Sequence, residues 1–170
     1  MLTRRKNDIA LTESFTYPSP IGLLQFDSAD DYIISIRFVD HETNSLNFNP
    51  DLKNEICRQL DDYFQGRLHQ FKLPLQPKGT DFQKKVWEQL ELIEYGNKIS
   101  YTELAVGLGD KNLVRAVGGA NSKNPLPIIV PCHRVIGANN KLVGYAGGLW
   151  RKKWLLRHEM EFRTSSDELF

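Results

Sequence analysis

The segment SYTELAVGLGDKNLVRAVGGANS, residues 100–122, decides how the chain folds. Ser100 and Glu103 stand three apart, the spacing of a capping box. In such a box the hydroxyl and the carboxylate each satisfy a backbone N–H that the first helical turn leaves without a partner. A short helix should follow, with Leu104, Ala105 and Leu108 on its apolar face and Gly109 as its stop. Asn112 should cap a second helix running from Leu113 to about Ser122. Two short helices, a glycine-containing turn and basic side chains on the second give a helix-turn-helix pattern, an outline that many helical hairpins share. Gly118, Gly119 and Ala120 leave one face of the second helix nearly bare. A bare face admits a close backbone approach, by another helix or by a nucleic acid strand.

Upstream, Thr80 or Asp81 can cap a helix carrying Phe82, Val86, Leu90 and Ile93, and Tyr95-Gly96-Asn97 breaks it. A boundary falls at Pro77-Lys78-Gly79, dividing the chain into residues 1–78 and 79–170. The first part reads mostly as strand. Phe15 to Tyr17, Ile21 to Phe26 and Tyr32 to Val39 are separated by Pro18-Ser19-Pro20 and by Asp27 to Asp31, both turn compositions. Asn49 then caps a helix with Pro50 at its first position, the stripe Leu52, Ile56, Leu60, Tyr63 and Phe64, and Gly66 as its end. Phe71 to Leu75 reads as one more strand. The class is α+β, and nothing in the first part reads as chemistry.

The 170 residues suit one domain or two small ones, and 41% apolar with 25% charged composition excludes disorder and fibrous classes. The Pro125–Pro131 stretch is far short of the ~20 apolar residues of a membrane span. No apolar stretch follows the basic Met1–Lys6, so no secretory leader is expected. Two cysteines, Cys57 and Cys132, make neither a disulfide framework nor a four-ligand zinc site of the usual kind; a reducing cytoplasm is expected, with no metal and no cofactor. The overall charge of +1 hides an asymmetry. Between Ala105 and His158 stand nine basic residues (Lys111, Arg115, Lys123, Arg134, Lys141, Arg151, Lys152, Lys153 and Arg157) against one acid, Asp110. Charge alone leaves two readings, a polyanion-facing surface or a solvated basic face.

Pro131-Cys132-His133-Arg134 carries the chemistry. The apolar run Ile128-Ile129-Val130 and the prolines around it fix the backbone and keep water away. A cysteine reacts as its thiolate and so needs a base or cation nearby. His133 is adjacent in sequence, but neighbouring side chains usually diverge, so a bridging water is the expected link. A third group should orient the imidazole, and Glu159 is the candidate. Glu159 could instead pair with Arg157 or Lys153. His41, His69 and His158 show no pattern and read as surface.

The sequence resembles the O6-alkylguanine-DNA alkyltransferases, or methylated-DNA–protein-cysteine methyltransferases, in their bacterial form. The resemblance rests on Ile129 to Ile136 (IVPCHRVI), Arg115 to Ala120 (RAVGGA), Asn124-Pro125, Gly144 to Gly148 (GYAGG) and Trp154 to Glu159 (WLLRHE), in order over residues 79–160. It implies an N-terminal ribonuclease-H-like α/β domain and a C-terminal winged-helix-like domain whose recognition helix enters the minor groove. It implies a single-turnover repair reaction on double-stranded DNA containing O6-alkylguanine, extending to O4-alkylthymine. The protein would be a monomer, with clustering along DNA left open. Cys132 would accept the alkyl group, His133 would be its base through a water, Glu159 would hold the imidazole, and Asn124 would support the turn. Arg115 would fill the stack vacated by the damaged base, or else contact a phosphate. Tyr101 would crowd the 3′ phosphate and face guanine N3, or else simply pack. Ala116, Gly119, Ala120, Lys123 and Arg134 would lie along DNA, and Pro127, Val135, Tyr145 and Ala146 would line the pocket.

Two other classes compete. A DNA-binding module without turnover would carry another residue where Cys132 stands. A Cys–His hydrolase usually draws its base from far along the chain.

Overall fold

The computed structural model describes residues 11–163. Strands β1 (Glu13–Ser19), β2 (Gly22–Ala29) and β3 (Tyr32–Val39) form an antiparallel sheet in chain order. Pro20 and Ile21 make the first turn. Asp30 and Asp31 make the second, both at positive φ, as a hairpin turn matched to strand twist requires. Alternation puts Phe15, Leu24, Phe26 and Ile36 on one face. Helix α1 (Pro50–Phe64), capped by Asn49 as its sequence indicates, lays Leu52, Ile56, Leu60 and Tyr63 into the same core. Residues 71–75 are not the expected strand. Only Leu75 bridges to Ile33, because prolines at 74 and 77 remove ladder donors on both sides.

Beyond residue 80 the chain is helical. Thr80 and Ser100 both close capping boxes, on α2 (Asp81–Glu91) and α3 (Tyr101–Gly107). Gly109, at positive φ, ends the turn after α3. The cap downstream differs from the expectation. Asp110, not Asn112, accepts a backbone N–H and starts a 3₁₀ turn at Lys111–Leu113 that runs into α4 (Val114–Ser122). The Trp87 indole donates to Ala120 O at 2.9 Å and locks α2 against α4. Two-residue strands β4 (Ile99–Ser100) and β5 (Val135–Ile136) pair in parallel, and α5 (Leu149–Glu161) closes the fold.

One continuous apolar cluster joins both halves. Polar ties cross between them as well: Ile36 N–H donates to Pro125 O, and the Arg151 guanidinium to Ile21 O. The architecture is α+β, as expected. Among the described residues no helix is long and apolar enough to cross a membrane.

Candidate active site

The segment before Cys132 is held from inside. Asn124 Nδ2 donates to Val130 O at 2.8 Å, while its Oδ1 accepts Leu126 N–H at 3.0 Å, so one side chain clamps both ends of the loop. Ile128 sits at φ +74°, a region that costs a β-branched residue about 1–3 kcal/mol and persists only where packing over-determines it. Three prolines and full burial of Leu126 supply that packing. The chain then enters the 3₁₀ turn Cys132–Arg134, where Cys132 is 6% exposed and His133 fully buried.

Glu159 is the hub behind this turn, and it meets neither Arg157 nor Lys153. His133 Nε2 lies 2.7 Å from Glu159 Oε1; Arg134 donates through Nε to Oε2 at 2.8 Å and through Nη2 to Oε1 at 3.0 Å. Burial alone would push the Glu159 carboxyl up, but His133 and Arg134 override it and hold the group well below the carboxylate range. An ionised Glu159 fixes the tautomer: Nε2 carries the proton, so Nδ1 presents a lone pair. Nδ1 is buried and has no protein partner. Burial pushes His133 toward the neutral form, against the pull of Glu159. The arrangement is therefore a neutral imidazole, a carboxylate ready to stabilise its cation, and an unused acceptor next to the thiol's position in the chain.

Burial also pushes the Cys132 thiol up, opposed first by Asn124 and then by the charge of Lys152. Lys152 is fully buried. Its ammonium donates to Val135 O at 2.6 Å and Val143 O at 2.8 Å, and burial brings its pKa down to about 8. It ties α5 to β5, directly after the 3₁₀ turn, and to the loop at residues 143–148. Arg151 holds the other end of that loop. It donates to Gly147 O at 2.7 Å and to Ile21 O at 2.6 Å, and its guanidinium lies 4.2 Å over the Phe38 ring. Tyr145, on this loop, has a buried hydroxyl without a partner. The Tyr101 hydroxyl reaches Val143 O at only 3.4 Å, a weak contact, and its ring lies 3.9 Å from the Cβ position of Gly118. Pro127 and Val135 are buried nearby in sequence, and Ala146 is exposed.

Arg115, Ala116, Gly119 and Lys123 are exposed on or at the end of α4, and the Arg115 side chain makes no hydrogen bond or ion pair among the described residues. Three expectations need correction. Arg134 does not face solvent: it is 6% exposed, spent on Glu159 and on Ile93 O at 2.5 Å, because the buried carboxylate needs a cation. Ala120 is 4% exposed, its face taken by Trp87. His158 is 6% exposed, stacked on Trp154 and with Nε2 2.8 Å from Tyr63 O, while His69 stacks on Tyr95. The basic run thus shrinks at the surface to Lys111, Arg115, Lys123, Lys141, Lys153 and Arg157. Lys152 and Tyr63 are functional candidates that sequence reasoning missed. The spacing of Lys152, Leu155 and Glu159 at i, i+3 and i+7 was the available signal, since it sets both charged groups on the inward face of α5.

Residues 81–161 match the family described as 6-O-methylguanine DNA methyltransferase, DNA binding domain, and residues 15–77 match its ribonuclease-like domain. A methylated-DNA–protein-cysteine methyltransferase of Mycolicibacterium paratuberculosis is 43% identical over 94% of this chain and 99% of its own. One of Methanosarcina acetivorans is 43% identical over 84% of this chain and 95% of its own. The crystal structure of Mycobacterium tuberculosis OGT in complex with DNA superposes with a TM-score of 0.78 at 42% identity, covering 88% of this chain and 93% of that one.

Proposed function

The chain belongs to the 6-O-methylguanine DNA methyltransferase family, and from that premise we propose that Cys132 is the residue that takes the methyl group from O6-methylguanine in double-stranded DNA. The protein repairs DNA by direct reversal. The observation that carries the assignment to Cys132 is the His133 ring: Nε2 is committed to Glu159, Nδ1 is buried and without a protein partner, and Cys132 stands on the same 3₁₀ turn.

The thiol proton passes through a water to Nδ1, and Glu159 stabilises the resulting imidazolium. The thiolate, favoured by the Lys152 charge, attacks the methyl carbon in line. The S–C bond forms, the C–O6 bond breaks, and its electron pair goes onto guanine, which recovers a proton from solvent. The Tyr101 hydroxyl, engaged only weakly at Val143 O, is the donor to guanine N3 that spares the leaving purine a full negative charge. The thioether is stable, so each chain acts once.

The methyl lies inside the duplex, so the nucleotide must leave the stack at a cost of a few kcal/mol. Arg115 on exposed α4 is the side chain that fills the vacancy and offsets that cost; Ala116, Gly119 and Lys123 follow the backbone. The pocket is walled by Pro127, Val135, Tyr145 and Ala146 and extends to O4-alkylthymine. Two thiols, neither in a disulfide, fit a reducing cytoplasm. The domain division at residue 78 and a monomer on DNA complete the reading. Cys132→Ala tests it: DNA affinity should persist while methyl transfer disappears. Transfer retained by the variant would refute the assignment.

A further inference from the structure

We infer that Tyr63, in the ribonuclease-like half, is a positioning residue for alkyl transfer: through Glu159 it sets the basicity of His133. The inference rests on the reading of Cys132 as acceptor and His133 as its base.

Tyr63 ends the apolar stripe of α1 and is fully buried, 96 residues from Glu159 in sequence. Its Oη donates to Glu159 Oε1 at 2.7 Å. The same oxygen receives His133 Nε2 at 2.7 Å and Arg134 Nη2 at 3.0 Å, while Oε2 takes Arg134 Nε and, at 3.3 Å, Gly96 N–H. Tyr63 and His133 therefore compete for the electron density of one atom. The ring of Tyr63 cannot drift from this contact. It is packed edge-on to Tyr95 at 6.0 Å and tilted against Phe71 and His158, and its own carbonyl is bonded to His158. A hydroxyl that served only to satisfy itself could have used a backbone carbonyl. This one completes the coordination of the carboxylate that steadies the base.

The surrounding groups allow one direction of effect. Around Tyr63 stand Glu159 and His158 from α5, Arg134 from the nucleophile turn and Tyr95 from the segment after α2. Around His133 stand Glu159, Arg134 and Lys152. Of these, only Tyr63 adds a neutral donor to the oxygen that His133 uses. Each further donor spreads the charge of Glu159 and leaves less to stabilise the imidazolium. Removing the hydroxyl concentrates charge toward His133 and makes it more basic. Because His133 must be neutral to accept the thiol proton, the acid limb of the reaction then moves to higher pH.

Single-turnover transfer from O6-methylguanine duplex DNA, followed against pH, tests this in the full chain. Tyr63→Phe should move the acid limb up by about one pH unit, a roughly tenfold slower reaction on the acidic side, with DNA affinity unchanged. Tyr17→Phe, which removes a hydroxyl from Asp61 at 2.5 Å in the same half, should leave the limb where it is. Should Tyr63→Phe fold poorly, 3-fluorotyrosine at position 63 keeps the ring and strengthens the donor, so the limb moves to lower pH. Opposite shifts in the two Tyr63 variants support the role, and superimposable limbs overturn it. A wild-type protein that takes no methyl group would overturn the reading of Cys132 as well.

Discussion

Glu159→Gln is the substitution whose consequences the structure specifies most fully. The carboxylate accepts from five donor atoms: Tyr63 Oη, His133 Nε2, Arg134 Nε and Nη2, and Gly96 N. An amide offers one acceptor oxygen and turns an NH₂ toward donors on its other side, so no orientation satisfies the set. It also strips the buried Arg134 of its counter-charge. Breaking one side of a buried pair costs about 3–5 kcal/mol. For a domain of this size that lowers Tm by roughly 10 °C. The chemistry suffers separately. Without the carboxylate the buried His133 imidazolium loses its partner, and the loss of an oriented general base costs roughly 10²–10⁴ in rate. Thermal unfolding and single-turnover methyl transfer at matched temperature, below both transitions, read the two effects apart. A variant with Tm within about 2 °C of wild type and a rate within threefold would refute the hub role of Glu159.

Three further outcomes follow from the same geometry. Lys152→Met removes a buried cation whose charge favours the thiolate and should slow alkylation of Cys132 by iodoacetamide about tenfold at neutral pH, because the thiol is pushed up further without it; an unchanged rate would show that the charge does not act on the sulfur. Arg115→Ala should cut repair of duplex DNA while leaving reaction with the free O6-methylguanine base untouched, and equal losses on both substrates would exclude a role in base extrusion. Glu159 is held below its ordinary value of 4.5, so its stabilisation is complete above that pH and drains as pH falls toward the folded value. Urea unfolding between about pH 5 and pH 3 should therefore destabilise the wild type more steeply than Glu159→Gln, and parallel slopes would contradict that linkage.

Local rules were legible because they depend on a few neighbouring residues. Asn49 before Pro50, Thr80 at the start of α2, and Ser100 with Glu103 each supply a cap that backbone chemistry demands. The Asn124 strap and the Cys132–His133–Glu159 set follow from the family resemblance, and the geometry is compatible with them. What escaped is what depends on long-range burial. Tyr63 sits at a proper stripe position, and nothing in α1 shows that its hydroxyl meets a carboxylate from α5. Arg134 and Lys152 count as positive charge in any composition sum, yet both are consumed inside, one by Glu159 and one by the carbonyls of Val135 and Val143. His158 looks like a surface residue until its aromatic neighbours, Trp154 stacked on it and Tyr63 tilted against it, are known. The cap at Asp110 was missed because Asn112 has the same capping chemistry two positions later, and only the backbone path decides between them.

The central claim is that the sulfur of residue 132 accepts one alkyl group permanently. Mass analysis of the Cys132 peptide after titration with O6-methylguanine duplex tests it directly. The account predicts one methyl per chain, located on Cys132, with no further repair when fresh damaged DNA is added. A methyl group on any other residue, or continued turnover by protein already used, would contradict it.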